Sequence, residues 1–596
     1  MKLFGTLLLL IFILIPVNSH SQSNIKSINY LSPVSNSQYV KRQTGIIIKT
    51  GDYFNVSAAK IPGVITVSAS RSGLHNGKLI LSEDNKTLIF KPEKIFDFAE
   101  TVCVKINKGL KTNTGKAVQP LSYYFTTCKS DIPVNPVEIF KKELGAENIS
   151  NDTLPGDFPP ITVNYSNNPS SGYVFLSNFS FGAHTNTPYL IMYRNTGEPY
   201  YYKRIGTQCF DFKMQPDGNL TYYNNNRLKY FELNSNYDLI DSFCCQNGYT
   251  TDLHELRITG NGHAFLLSYD IQIVDMSQIV QGGNPAAHVT GLIIQELDEN
   301  KNVVFQWRSW DHFQITDATH QNFMAPQIDY VHGNSIEIDN DGNLILSSRH
   351  MDEITKINHT TGDIIWRLGG KNNQFAFIND PLKFSYQHAA RRIANGHITL
   401  FDNGNYHSPP FSRAIEYDVD DVNMTATLVW EYRNNPSIFS PAMGYVQRLS
   451  NGNTLIGWGQ INPTVTEVTP EGTRALELTF ATDIVSYRAF RYDWNGPPVG
   501  LSENNNSASV KYMLSQNYPN PFNPSTDIRF EMPVLSDVKL AVYDELGREV
   551  TVLLNSKLSA GSYSYHWNAS GYSSAIYFYR LETNNFVETR KMILVK

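Results

Sequence analysis

The stretch His332-Gly333-Asn334-Ser335-Ile336-Glu337-Ile338-Asp339-Asn340-Asp341-Gly342-Asn343-Leu344-Ile345-Leu346-Ser347-Ser348-Arg349-His350 decides the fold. Two apolar, β-branched runs flank Asn-Asp-Gly-Asn, the composition of a tight hairpin turn. Folding at Gly342 returns Arg349 to the end where His332 sits. Similar turns recur as Pro216-Asp217-Gly218-Asn219, Gly260-Asn261-Gly262-His263, Ala394-Asn395-Gly396-His397 and Ser450-Asn451-Gly452-Asn453. The five glycines are spaced 44, 80, 54 and 56 residues apart by subtraction. A second element, a turn followed by a strand that often carries Trp, recurs at Thr361–Trp366 and Leu428–Tyr432. Strand-rich repeats of that period predict an all-β chain built on a β-propeller. Five units are clear, the 80-residue interval predicts an insertion, and the ends can supply a sixth blade.

Three repeats carry a histidine at one level. His254, His332 and His388 precede their turn glycines by 8, 10 and 8 residues. The matching positions in the other two repeats are Phe210 and Gly444. A purely structural histidine would recur in every repeat, so the pattern points to a site. Imidazole serves as nucleophile, base or acid near neutral pH. Guanidinium offers a fork of donors suited to a tetrahedral oxyanion. Strand alternation sends Arg349 and His350 to opposite faces, so without a bulge only one faces the site; Arg349 is the choice. Asn334, Asn403, Tyr487 and Arg488 are weaker substrate-binding candidates, and for Asn403, Tyr487, Arg488, Arg391 and Arg392 structural roles are favoured. His263 and His397, beyond the turn glycines, are expected to be solvated. Three histidines can hold zinc, but an adjacent arginine opposes a second cation and no acid accompanies all three. No metal and no cofactor are expected.

Composition bounds the rest. The 596 residues exceed one ordinary core. Aromatic residues make up 12% and charged ones 17%, with a formal net charge of −6 and no long basic run, which argues against a nucleic-acid partner. Met1-Lys2, an apolar run from Leu3 to Val17 and small polar residues read as a signal peptide over 1–22. No other run is long enough for a membrane span. The five cysteines lack metal spacing; Cys103 with Cys128, and Cys209 with Cys244 or Cys245, are the pairings export would permit.

Residues 23–130 are short β-rich runs, including Ile46–Ile48, Thr87–Phe90 and Val102–Ile106, and resemble bacterial Ig-like modules. A proline-rich linker or wrapping segment is read at 131–165, the repeats at 166–496, and a flexible linker at 497–511. Residues 512–596 carry Asn517-Tyr518-Pro519-Asn520-Pro521-Phe522-Asn523-Pro524, Tyr543–Val550 and Tyr577–Leu581 in order. They resemble the C-terminal sorting domain of the type IX secretion system, which implies export through the outer membrane and a secreted or cell-surface location.

His254 before Gly260–His263, the His332–His350 stretch, Lys356–Gly370 and Gln387–Gly404 resemble, in order, the bacterial arylsulfate sulfotransferases. The resemblance implies a six-bladed β-propeller with its site in the central channel, flanked here by an Ig-like β-sandwich and a small β-sandwich sorting domain. It implies transfer of a sulfuryl group from a phenolic sulfate ester to a phenol without a nucleotide donor. By the same resemblance His388 is the nucleophile, while His254, His332 and Arg349 stabilise the sulfuryl oxygens. The Ig-like region and the sorting domain depart from the family pattern. The competing readings are a non-catalytic surface propeller that binds glycan or protein, and an aryl sulfate hydrolase.

Overall fold

The computed structural model describes residues 28–132, 154–180, 187–498, 501–504, 511–558 and 560–596. The signal peptide read at 1–22 lies outside them, as do residues 133–153 of the expected linker. The chain is all-β: its helices among the described residues are single 3₁₀ turns such as Ala58–Lys60 and Arg349–Met351. None is long and apolar enough to cross a membrane.

Between residues 161 and 492 the described strands form six successive sheets, antiparallel apart from one parallel strand in the third and one, Ala376–Ile378, in the fifth. The first joins Tyr173–Ser180, Tyr189–Tyr193 and Pro199–Arg204 to a strand from the far end, Ile484–Tyr492. The second runs from Cys209 to Phe243, the third from Leu256 to Arg308, the fourth from Gly333 to Gly369. The fifth, begun by His388–Arg392, ends at Thr425–Tyr432, and the sixth runs from Tyr445 to Phe480. Residues 161–166, inside the stretch read as a linker, form a strand against Arg474–Phe480. Its Ile-Thr-Val run suits a pleated edge. Leu501–Asn504, inside the second expected linker, likewise pairs with Gly561–Asn568.

The turns obey one geometry. In the fourth sheet Asp339 N–H donates to Asn343 O at 2.8 Å and Gly342 N–H to Asp339 O at 2.8 Å. The same pair of bonds recurs at Gln215–Asn219, Thr259–His263, Ile393–His397 and Leu449–Asn453. Each turn glycine has φ between 76° and 90°, a region costly for other residues. Central strands such as Tyr189–Tyr193 and Leu344–Ser348 are buried on both faces. They therefore read as apolar runs rather than alternating ones. Apolar clusters lie between the first and second sheets, across the second to fourth, between fourth and fifth, fifth and sixth, and sixth and first. The 80-residue interval does contain an insertion: a hairpin of two 11-residue strands, Ala264–Val274 with Ala287–Leu297, and an excursion from Ser309 to Asp329 that adds a parallel strand at Gln327–Asp329.

Two four-stranded sheets between Tyr30 and Thr126 share one core, and two more share another between Leu501 and Leu594. The amino-terminal unit docks on the third sheet. Tyr30 OH donates to Gln306 O at 2.6 Å and accepts from Gln306 N at 2.9 Å, and Lys41 pairs with buried Asp270 at 3.2 Å.

All five cysteines are free. The proposed pairings fail because their side chains turn elsewhere. Cys209 and Cys245 point at the carbonyls of Tyr189 and Leu267, and Cys128 lies 3.8 Å from Asp131.

His263 and His397 are not solvated. The residue after the turn glycine reaches the third strand of its sheet: His263 to Glu296 at 2.8 Å, His397 to Glu416 at 2.7 Å, and, by amide, Asn219 to Glu232 and Asn453 to Glu467. Glu296 also receives His359 at 2.7 Å. Burial alone would raise the Glu296 carboxyl, but hydrogen bonds from His263 and His359 hold it at about 2, below its ordinary 4.5. His263 is raised above 6.5, chiefly by the Glu296 bond. The depressed carboxylate stabilises the fold above pH 4.5 and loses that contribution as pH falls toward 2. The raised imidazole stabilises below pH 6.5 and loses its contribution as pH rises through the higher folded value. Stability from this cluster should therefore peak between about pH 5 and 6.5. Urea unfolding of the wild type and Glu296→Gln across pH 4–8 checks it: the variant should lose the peak.

Candidate active site

Each of the six sheets presents one residue to a common point. The five slots counted from the turn glycines are Phe210, His254, His332, His388 and Gly444. The sixth is Tyr487, on the returning strand Ile484–Tyr492 that completes the first sheet. The ring centroids of His254 lie 5.3 Å from His332, 6.0 Å from His388 and 5.7 Å from Tyr487. Tyr487 stands 5.4 Å from His388 and 6.1 Å from Phe210. The His332 and His254 side chains keep 27% and 12% of their accessible surface, whereas residue His388 keeps 2%, so His388 is the deepest of the three.

Local backbone irregularities aim these groups. The register shifts between Phe210 and Lys213, Gly333 and Ser335, and His388 and Arg391, so each strand enters through a bulge. His332 and Ala389 have φ of 49° and 57°, strained for residues with a Cβ. Asn334 holds two of these entries together. Its amide donates to Gln387 O at 2.8 Å and its side-chain oxygen accepts from Ala389 N at 3.1 Å. It is a buried staple between strands.

The hydrogen bonds fix the ring tautomers. His388 Nδ1 lies 2.8 Å from Gly444 O. A carbonyl only accepts, so Nδ1 carries the proton and Nε2 keeps its lone pair. Nε2 faces the Tyr487 hydroxyl at 3.4 Å. Burial holds His388 well below the ordinary histidine range, helped by Arg488, His254 and Arg349, so the ring is neutral. Gly444 has no room for a side chain: its φ is 102° and a Cβ would lie 2.4 Å from the Phe401 ring. His254 Nδ1 meets Asp252 Oδ1 at 2.5 Å and His332 Nδ1 meets Asp329 Oδ2 at 2.7 Å. Both rings therefore turn Nε2 away from their carboxylates. An acid thus stands beside two of the three histidines and a carbonyl beside the third, in keeping with the expectation that none accompanies all three. Asp252 lies two residues upstream of His254 and Asp329 three upstream of His332.

Arg349 returns as the hairpin predicts, its N–H donating to His332 O at 3.1 Å. The strand ends at Ser348, and Arg349–Met351 form a 3₁₀ turn. Alternation therefore stops, and Arg349 and His350 share a side: Arg349 Nη1 lies 2.9 Å from His350 Nε2. That corrects the choice of one over the other. Arg349 also lies over the Tyr386 ring at 4.1 Å and donates through Nη2 to Pro441 O at 2.8 Å, while its buried Nε–H has no partner among the described residues. An unpaired guanidinium donor beside three imidazoles suits an incoming oxyanion.

Tyr487 and Arg488 diverge as neighbours on a strand do. Arg488 is fully buried beneath the site, against Asp211 at 2.8 Å, Glu255 at 3.4 Å and Asn334 O at 2.8 Å. Arg391 and Lys213 also pair with Glu255, and Lys213 with Asp211 at 2.6 Å. Arg392 pairs with Asp339. Asn403 donates to Ser440 O and Met443 O at 2.8 and 3.1 Å, which steadies the loop whose Pro441 and Gly444 carbonyls hold Arg349 and His388. Asn334, Asn403 and Arg488 thus support the site from behind, whereas Tyr487 faces it.

The arylsulfotransferase (ASST) family model matches residues 171–491, more than half of the chain. The chain belongs to the arylsulfotransferase family. The matched span of this arylsulfotransferase contains all six ring positions and Arg349. Residues 516–596 match the secretion system C-terminal sorting domain, which directs export by the type IX machinery to the cell surface or beyond. Arylsulfate sulfotransferase AssT of Escherichia coli O6:H1 (strain CFT073) is 28% identical over 172 residues, 23% of this chain and 28% of that protein. The protein of the same name from Lelliottia amnigena is 27% identical over 126 residues, 18% and 21% of the two chains. The arylsulfotransferase chain thus spans less than a third of the curated relatives it matches. A solved protein of unknown function from Bacteroides caccae has 12% identity and a TM-score of 0.35 over 54% of this chain and 98% of its own, a likeness that carries no argument.

Proposed function

We propose that the protein is an exported aryl-sulfate sulfotransferase that works through a sulfohistidine at His388. The carrying observation is the neutral His388 ring, its Nδ1–H held by Gly444 O, its Nε2 facing the Tyr487 hydroxyl and its ring 6.0 Å from that of His254. In the first step Nε2 attacks the sulfur of a phenolic sulfate ester. An N–S bond forms, the aryl O–S bond breaks and a phenolate leaves. Arg349 and the ring N–H groups of His254 and His332, when protonated, offset charge on the sulfuryl oxygens. In the second step a phenol loses its proton to a site histidine and attacks the same sulfur, and the N–S electron pair returns to His388. No nucleotide donor, metal or cofactor enters the scheme.

The six sheets are the blades of a six-bladed propeller in this reading, supported by apolar clusters between each successive pair and between sixth and first. The amino-terminal pair of sheets is an Ig-like spacer, and residues 1–22 are a cleaved leader. Convergence of three imidazoles and an arginine favours catalysis over a propeller that merely binds glycan or protein. Pure protein with p-nitrophenyl sulfate, with and without phenol, tests the proposal. Acceptor-dependent nitrophenol release with formation of the acceptor's sulfate ester is expected. Release that ignores excess phenol would make it a hydrolase, and none across a broad acceptor panel would end the proposal.

A further inference from the structure

The contact between Arg349 and His350 determines more than proximity. Arginine has donors and no acceptor, so the 2.9 Å contact requires His350 Nε2 to accept. The single proton of the neutral ring is then on Nδ1. That atom lies 2.7 Å from the backbone carbonyl of Asp329, which can only accept. Both nitrogens are committed, and the tautomer follows without choice. The Asp329 carboxylate meanwhile receives His332 Nδ1 at 2.7 Å and His332 N–H at 3.1 Å. Asp329 thus orients His350 with its carbonyl and His332 with its carboxylate. The His350 ring is wedged between His332 and Tyr386, at centroid distances of 4.6 and 5.1 Å.

We propose that His350, fixed as the Nδ1–H tautomer by Asp329, is the positioning residue that aims Arg349, and that Asp329 couples this brace to His332. The inference rests on the proposed sulfuryl transfer. Without the brace, Arg349 would keep the Pro441 carbonyl and the Tyr386 face but lose the bond that fixes the rotation of its guanidinium. Asp329, His332 and His350 also have potential ligand atoms within 4.8 Å of one another, the spacing of a metal site. The tautomer argues against one. With Nε2 engaged by a cation and Nδ1 protonated, His350 has no lone pair to give.

The test is a double-mutant cycle on the full chain, read as kcat and KM for p-nitrophenyl sulfate with phenol. His350→Phe keeps the ring volume and removes the acceptor, while His350→Gln restores an acceptor near Nε2. His350→Phe should lower kcat/KM about 10- to 100-fold, the cost of a misaimed group. His350→Gln should recover most of that loss, and His350→Phe should cost little more once Arg349→Met is in place. Equal losses with and without Arg349, or a glutamine variant as poor as phenylalanine while both melt like wild type, would overturn the proposal. So would activation of wild type by added zinc. If wild type transfers no sulfuryl group, the proposed function fails, and the same cycle is then read on sulfate affinity by calorimetry. Coupling between positions 349 and 350 there would sustain the brace, and additivity would end it.

Discussion

His388→Ala should abolish sulfuryl transfer, with a loss on the order of 10⁴-fold or more in kcat, because in the proposed mechanism it removes the atom that carries the group between half-reactions. Arg349, His254 and His332 remain in the variant and can still bind a sulfate ester, so KM for the donor should change far less than kcat. Treating wild type with donor alone should add the mass of one sulfuryl group to the peptide that contains His388. An alanine variant with full activity would refute the nucleophile assignment. The pH dependence adds an independent check. His388 is held well below the ordinary histidine range by burial, then by Arg488 and His254, so it is deprotonated throughout neutral and mildly acidic solution. The first burst of nitrophenol should show no fall from His388 protonation between about pH 5 and 8, where an exposed imidazole would titrate. A free histidine in water is half protonated near the middle of that range; this one is not, because its lone pair faces a buried pocket with an arginine beneath it.

The repeat arithmetic reached most of the candidate site because successive repeated sheets turn equal sequence spacing into equal position. His332 and His388 each stand within 6.0 Å of His254, and the two slots without histidine prove as informative. Gly444 supplies the carbonyl that sets the His388 tautomer, and Phe210 packs on Tyr487. Tyr487 could not be placed by counting, since its strand pairs with one more than 300 residues earlier and follows no turn of its own series. His350 was assigned to the wrong face because alternation holds only while a strand lasts, and this one stops one residue before Arg349. Asp329 was overlooked for a different reason. It acts from a loop at short range, where neither a helical nor a strand period points to it. His263 and His397 looked solvated because they flank turns, yet their sheets bring a glutamate to each. Sequence spacing reports which strand ends coincide; it is silent on what waits on the neighbouring strand.

Glu255→Gln should destabilise the fold by roughly 3–5 kcal/mol, the usual cost of stranding buried charge. Glu255 is wholly buried, with Lys213, Arg391 and Arg488 around its carboxylate. Asp211 is the second anion of the group, paired with Lys213 and Arg488. Three cations therefore share two carboxylates directly beneath His388. Those cations hold the Glu255 carboxyl far below its usual range against the burial that would raise it, so it is ionised wherever the protein is folded. Glutamine keeps the shape and removes the charge, leaving Lys213 and Arg488 with Asp211 and Arg391 with only Glu337 at 3.7 Å. Urea unfolding at neutral pH should show a lower midpoint with an unchanged slope. Adding Arg391→Met to Glu255→Gln should return part of the loss, since the pair then leaves together. A glutamine variant within about 1 kcal/mol of wild type would mean that the network is not an energetic unit. The consequence for activity follows from the same geometry. Arg488 reaches Asn334 O, and the Asn334 side chain bonds the residues on either side of His388. Loosening the guanidinium should therefore misplace the nucleophile even in molecules that remain folded. Burial, helped by Arg488, keeps the His388 ring unprotonated, and the same arginine, tied down by Glu255, keeps it in place.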